Sequence, residues 1–253
     1  MADPYIQAHS NQAGIATIEF FHPQSNALTI KMLHQLAHEI HHAGSTGTQV
    51  IVLRSGGEKS FCAGASFDEL AAVSNPAEGE AFFSGFAHVL NAMRTCGKLI
   101  IARVHGKCTG GGVGLAAAAD YAIANTTAEI RLSELSIGLG PFVVGPAIER
   151  KIGTGPFGHL AIDAAMWRSA DWAKRKGLYA EVHDNNANMD ESIDRLAGTI
   201  AHSSPDALIA LKKMLWTGTE NWGSLLEERA AISGRLAAGD ATRTAIARFK
   251  SKH

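Results

Sequence analysis

The sequence predicts an α/β fold with parallel strands and a helical C-terminal region, and three observations carry that prediction. Short apolar runs alternate with helical stretches from Gly14 to Ala124, small-residue turns follow two of those runs, and beyond about Pro156 the pattern is almost wholly helical. Strands separated by helices pair in parallel, because each crossover returns the chain to the same end of the sheet. With 253 residues and 46% hydrophobic content the chain can bury a full core. No internal repeat or low-complexity linker is visible, so the helical tail reads as an extension of one core.

Gly14-Ile15-Ala16-Thr17-Ile18-Glu19-Phe20 alternates as a strand does, and His22-Pro23-Gln24-Ser25-Asn26 supplies loop chemistry after it. Residues 28–43 read as a helix whose apolar stripe is Ile30, Leu33, Leu36, Ala37 and Ile40. Val50-Ile51-Val52-Leu53 is the next strand. Ser66-Phe67-Asp68-Glu69 is a capping box, in which Ser66 accepts from the Glu69 backbone while the Glu69 side chain reaches back, so a helix starts directly after Ala65. A helix over 78–96, a strand over 99–104, an Ala-rich helix entered through glycines and a strand over 121–124 continue the alternation. Asp120 is expected to close the Ala-rich helix and pack the turn into the next strand. A short strand at 179–183 interrupts the later helices, which finish over 207–216, 225–238 and 242–250 after the helix start Ser204-Pro205-Asp206.

Net charge of −1 with interspersed signs leaves no electrostatic footprint for nucleic acid or an anionic membrane. Cys62, Cys96 and Cys108 are widely spaced in apolar surroundings, which points to a reducing compartment rather than a disulfide framework. Met1-Ala2-Asp3-Pro4 has no basic region leading into an apolar run, and no segment approaches the roughly 18 apolar residues of a membrane span. A cytoplasmic protein is expected.

Three patterns imitate chemistry. His38-Glu39-Ile40-His41-His42 matches H-E-x-x-H, but the helix stripe puts His38 and His42 on the solvent side and no third zinc ligand suggests itself. Gly112-Val113-Gly114-Leu115-Ala116-Ala117 matches a dinucleotide fingerprint, yet His105 to Thr109 separate it from its strand and two strand units precede it. His105, at a strand end, reads as a satisfied structural residue.

The informative constellation is a pair of turns and one carboxylate. Gly110-Gly111-Gly112 at a helix entrance leaves backbone N–H groups uncovered and able to approach an oxyanion. Ala63-Gly64-Ala65 makes a second strand-to-helix turn, with the Ala65 N–H where the backbone changes direction. Glu134 stands in the apolar run Ile130-Arg131-Leu132-Ser133-Glu134-Leu135-Ser136-Ile137-Gly138, a setting that disfavours its charge and tunes it for proton transfer.

These three motifs, in this order and spacing, resemble the enoyl-CoA hydratase/isomerase (crotonase) family over essentially the whole chain. The resemblance implies a crotonase-like spiral of ββα units over residues 1–195 and a helical region over 196–253 that builds trimers, often stacked as hexamers. It implies an acyl-CoA thioester as substrate, with no separate cofactor and no metal. The thioester oxygen would lie between the N–H groups of Ala65 and Gly111, with Glu134 as proton carrier. The Ala63 carbonyl would face the adenine, Gln24, Ser25, Asn26 and Ala27 would lie along the CoA, and Gly64, Ser66, Phe67, Gly110 and Gly114 would complete the binding surface. Two departures stand out: Ser66 replaces an aspartate common in the family, and Gly114 replaces the first of two glutamates of typical hydratases, leaving a space that water is expected to occupy. The window from Gly110 to Gly153, with Gly145-Pro146, is similar to the methylglutaconyl-CoA hydratase branch of leucine breakdown. The expected activity is hydration of a short, branched 2-enoyl-CoA. The alternatives are a Δ3,Δ2-enoyl-CoA isomerase and a non-catalytic member that binds acyl-CoA or, against its near-zero charge, RNA.

Overall fold

The computed structural model describes residues 3–250; Met1 and Ala2, which open the expected leaderless N-terminus, and residues 251–253 of the expected helical region lie outside them. Strand β1 (Tyr5–Ser10) turns back through Gly14 into β2 (Ile15–Phe21), the only antiparallel pair of the main sheet among the described residues, and α1 (Ile30–Ser45) follows. Three strand-strand-helix units come next. The first is β3 (Val50–Ser55), β4 (Ser60–Cys62), α2 (Phe67–Ala72) and α3 (Pro76–Thr95); the second is β5 (Leu99–Val104), β6 (Lys107–Thr109) and α4 (Gly111–Ala118). The third is β7 (Tyr121–Asn125), β8 (Ile130–Arg131), a 3₁₀ turn at Glu134–Ile137, α5 (Gly145–Ile152), α6 (Thr154–Ile162) and α7 (Ala170–Arg175). Strand β9 (Glu181–His183) completes the main sheet, and α8 (Asn186–Ala201), α9 (Pro205–Leu215), α10 (Trp222–Ala237) and α11 (Asp240–Lys250) end the chain.

Each unit gives its first strand to one sheet and its second to another. The main sheet has the order β1-β2-β3-β5-β7-β9, and the small sheet has the order β4-β6-β8, parallel throughout. The units repeat in space although no repeat is visible in the sequence. Central strands of the main sheet are buried on both faces, which explains their unbroken apolar runs. Ile51, Leu53, Ile100 and Ala102 pack towards α1 and α3, while Val50, Val52, Ile101 and Ile123 pack with Met189 and Ile193 of α8. The strip of α1 facing the core is Met32, Leu33, Leu36, Ala37, Ile40 and Ala43, so His38 and His42 are exposed as the periodicity predicts. Helix α4 is buried on every side, as its uniformly small and apolar sequence requires.

The capping box forms by half. Ser66 Oγ accepts from the Glu69 N–H at 3.4 Å, but the Ser66 N–H is already bonded to the Leu28 carbonyl. The Glu69 carboxylate instead accepts from the Ile30 N–H at 2.8 Å, satisfying an orphan donor of the first turn of α1. Strand β1 escapes sequence reading because it is an edge strand with only Ile6 buried.

Asp120 does more than close α4. Its carboxylate accepts from the Ile100 N–H at 2.7 Å, Lys212 Nζ at 2.6 Å and Trp216 Nε1 at 2.8 Å, fastening α9 to the start of β5. The Lys212 side chain is 3% exposed, so it has no water to fall back on. Breaking a buried ion pair by removing one partner costs about 3–5 kcal/mol. Asp120→Ala is therefore expected to lower unfolding free energy by that amount in urea denaturation; a change under about 1 kcal/mol, the range of exposed pairs, would show that this network contributes little.

Candidate active site

The three strands of the small sheet end side by side, and the turns at their carboxyl ends line a single cavity of ≈ 120 Å³. After β4 come Ala63, Gly64 and Ala65; after β6, Gly110 and Gly111; after β8, Ser133 and Glu134. Carboxyl ends of parallel strands are where α/β folds place ligands, since the turns there leave backbone groups unpaired.

Ala65 shows how such a donor is made. Leu28 donates to the Gly64 carbonyl at 2.8 Å and accepts from Ser66 at 2.9 Å, a parallel bridge in which Leu28 uses both of its backbone groups and Ala65 neither. The Ala65 N–H is thereby turned away from Leu28, and Ala65 lines the cavity. Gly111 is the first residue of α4, whose opening N–H groups have no intrahelical partner. Among the described residues neither N–H has a backbone acceptor. Gly64 and Gly110 hold φ of +89° and +53°, conformations that side chains disfavour, and a methyl group on Gly110 would lie 2.8 Å from Glu134 Oε1. The two turns touch: a methyl group on Gly64 would stand 3.1 Å from the Gly111 nitrogen.

Glu134 is the only titratable side chain among the described residues lining the cavity. Its Oε2 is buried without a hydrogen-bond partner. Burial pushes its pKa up from 4.5 to about 7, against the opposing pull of its own backbone N–H and the Arg131 guanidinium. Arg131 is held off by stacking on Trp167, 4.5 Å from the ring centroid. Apart from Thr109, Ser133 and Ser233 the rest of the lining is apolar, with Phe83 and Phe86 of α3, Leu70 of α2, Ile137 at the end of the 3₁₀ turn, and Leu139, Phe142, Val143 and Val144 after it.

Of the other residues singled out in the sequence, Ala63, Gly64, Phe67 and Gly110 line the cavity. Ser66 is buried as the cap of α2. Gln24, Ser25 and Ala27 lie outside the cavity: the Ser25 carbonyl accepts from the Ala63 N–H of its first turn at 3.1 Å, and Gln24 Nε2 donates to Asp68 of α2 at 3.1 Å. Ser25 and Asn26 both have positive φ, 55° and 58°, a strained pair held by buried Asn26, which bridges the Gly56 and Ser60 carbonyls.

Gly114 does not line the cavity, and the expected space above it is absent. A methyl group there would meet Val144 Cγ1 at 2.5 Å, because Val144 already packs into that position. The glycines of the fingerprint-like run serve close packing in the same way: Gly112 lies against the Cys62 carbonyl. His105 is 1% exposed, and both ring nitrogens lack partners. Burial, with Arg103 and Arg54 nearby, lowers its pKa to about 4, so it is neutral at pH 7 and away from the cavity. Sequence reasoning missed Ser233, which α10 brings to the cavity wall from a part of the chain with no motif.

With this geometry in place, comparison with known proteins is direct. A family model described as enoyl-CoA hydratase/isomerase matches residues 10–252. The chain belongs to that family. A protein of Bacillus subtilis named "Probable enoyl-CoA hydratase" is 27% identical over 205 residues, 80% of this chain and 79% of the relative. An Arabidopsis thaliana protein named "Delta(3,5)-Delta(2,4)-dienoyl-CoA isomerase, peroxisomal" is 25% identical over 185 residues, 67% of this chain and 65% of the relative. The crystal structure of an enoyl-CoA hydratase from Bacillus halodurans superposes with a TM-score of 0.88 at 20% identity, covering 96% of this chain and 99% of that one. The spiral of ββα units is therefore the family's fold, and hydratases and isomerases both stand among its relatives.

The raised pKa has a consequence for stability. Between pH 4.5 and about 7 the folded protein keeps a proton on Glu134 that the unfolded chain has released, so stability falls as pH rises through that window. Two to three pH units correspond to about 3 kcal/mol. Glu134→Gln, which resembles the neutral acid, is expected to be more stable than the parent at pH 8 by up to about this amount and nearly equal to it at pH 4. Urea denaturation at both values checks this, and a variant no more stable than the parent at pH 8 would rule out burial as the source of the shift.

Proposed function

We propose that the protein hydrates a short, neutral 2-enoyl-CoA with Glu134 as its single catalytic carboxylate. The observation that carries the reading is that one carboxyl group with a pKa of about 7 shares an apolar cavity with two unpartnered backbone donors. Near neutrality both of its forms are populated, which is what a group that first takes and then returns a proton needs. Ionised Glu134 accepts a proton as water oxygen bonds to Cβ, and the electron pair of the double bond moves to the thioester, whose oxygen becomes an enolate. The N–H groups of Ala65 and Gly111 stabilise that oxygen. Protonated Glu134 then gives its proton to Cα, so that H and OH add across the double bond and the carboxylate is regenerated.

The cavity also bears on the acyl group. Among the described residues its lining holds no lysine, arginine or histidine to pair with a second carboxylate on the substrate, so we infer a neutral chain rather than the methylglutaconyl group suggested by the window from Gly110 to Gly153. Its small volume and the rings of Phe83, Phe86 and Phe142 suit a short one. CoA would run past the Gln24-Ser25-Asn26-Ala27 loop and the Ala63 carbonyl. Exposed Ile162 and Met166, with Ile209, Met214 and Leu215 on or beside α9, support a homotrimer or hexamer whose copies cover this apolar surface, and three buried free cysteines support a cytoplasmic setting.

A second reading is favoured by Val144. It fills the room above Gly114, and among the described residues the cavity lining holds no second carboxylate. One carboxylate is sufficient for a 1,3-proton shift, in which Glu134 removes a proton from Cα of a 3-enoyl-CoA and returns it to Cγ.

Incubating the protein with a short 2-enoyl-CoA in ¹⁸O-labelled water separates the readings. The expected product is a 3-hydroxyacyl-CoA carrying the label; a 3-enoyl substrate converted to the 2-enoyl isomer with no oxygen gained would establish the second reading instead. Turnover of neither would make the protein an acyl-CoA binder.

The role of Glu134 is tested separately. Glu134→Gln is expected to lower kcat about 10²–10⁴-fold while acyl-CoA binding persists. The rate of the parent enzyme should fall as pH drops through about 7, where the carboxylate takes up its proton. A variant with near-normal turnover, or a flat profile across that range, would remove Glu134 from the reaction.

A further inference from the structure

Four of the chain's twelve histidines gather on one surface. Four of the six residues lining a groove between α1 and α3 are histidines: His34, His38 and His41 from α1, and His88 from α3. All four are exposed and none lines the acyl cavity. The helices are locked together beneath them, because Leu33, beside His34, packs against Gly85, one turn before His88. The separation of the two histidine backbones is therefore set by the core. The rings of His34 and His88 stand with centroids 5.8 Å apart.

That distance is informative. Imidazole nitrogen binds a zinc-like divalent ion at about 2.1 Å, and with the ring centroid about 1.2 Å behind the nitrogen, two rings sharing an ion have centroids no more than about 6.6 Å apart. His34 and His88 already fall inside this limit, and exposed side chains turn between rotamers in picoseconds to nanoseconds. His38 lies one helical turn from His34 on the same face, the i,i+4 spacing at which two helical imidazoles reach one ion. The H-E-x-x-H pair is a different matter. His38 and His42 lie ring face to ring face, 6.3 Å apart at 7°, and Glu39 lines another hollow together with His42.

We propose that this groove binds a divalent transition-metal ion, with His34 and His88 as its two main ligands, His38 as an accessory one and water in the remaining positions. Among the described residues no group of three or more histidine, cysteine, aspartate or glutamate side chains stands ready around a metal. The site is accordingly an open, exchangeable one, not a structural zinc cage. Imidazole ligands suit Ni²⁺, Cu²⁺ and Zn²⁺ and discriminate against Mg²⁺ and Ca²⁺, which take oxygen. Since the two main ligands belong to different helices, the bound ion ties α1 to α3 and stabilises the folded chain in proportion to its binding.

The test is calorimetric titration of the untagged full-length protein with NiCl₂ at neutral pH, with the melting temperature followed in parallel. Saturable binding of one ion per chain and a rise in Tm are expected, with MgCl₂ producing neither. His34→Ala and His88→Ala should each weaken Ni²⁺ binding at least tenfold and remove the rise in Tm, while His38→Ala weakens it less. All three side chains are exposed, so the variants should retain the parent Tm without metal. Absence of saturable binding to the parent protein, or unchanged affinity in the His34→Ala/His88→Ala double variant, overturns the proposal.

Discussion

Parallel pairing of three very short strands decides where the chemistry sits. β4 and β6 have three residues each and β8 has two, far too few to hold together alone. Each continues directly from a strand of the main sheet, so the register of β3, β5 and β7 in the core brings β4, β6 and β8 together. Their carboxyl ends then deliver a backbone donor, a second donor and a carboxylate to one place. Groups positioned in this way need no reorganisation when charge develops on a substrate oxygen, which is the condition under which fixed dipoles contribute most to a rate.

Burial of Glu134 comes from the same arrangement. Glycine at 110, 111 and 112 lets Glu134, Phe86 of α3 and the Cys62 carbonyl of β4, respectively, approach the backbone closely, and bulky residues from α3 and the segment after the 3₁₀ turn close over the remaining space. The carboxyl group is left among rings and aliphatic side chains, with Arg131 drawn aside onto Trp167. Had that guanidinium paired with Glu134, the pKa would fall rather than rise and the group would hold no proton at neutral pH. A tuned acid and a destabilising buried carboxyl are thus the same feature seen from two sides.

The features legible in the sequence are those that short stretches dictate. The β-branched runs at Val50-Ile51-Val52-Leu53 and at Leu99–Val104, the stripe of α1, the glycine turn and the apolar setting of Glu134 each depend on neighbours a few residues away. Features that escape sequence reading depend on residues far along the chain. Glu69 abandons its capping box because Leu28 already occupies the Ser66 N–H and Ile30 offers a free donor. Ser233 reaches the cavity only because α10 packs on α3. Asp120 can be placed in its turn from local pattern, but its partners Lys212 and Trp216 lie some ninety residues later.

Gly114 is the most instructive of these cases. Read alone, a glycine where the family resemblance implies a glutamate suggests a hole, and a hole beside a carboxyl group suggests water. In the folded protein Val144, thirty residues downstream, occupies that volume, so the small residue and the branched one form a complementary pair across the interface of α4 with the segment entering α5. Placing a glutamate at 114 without shortening Val144 would drive its Cβ into a methyl group at 2.5 Å. Close-packed interiors resist such overfilling. The packing of this chain thereby leaves no room for a carboxylate at 114, and among the described residues Glu134 is the one carboxyl group on the cavity wall.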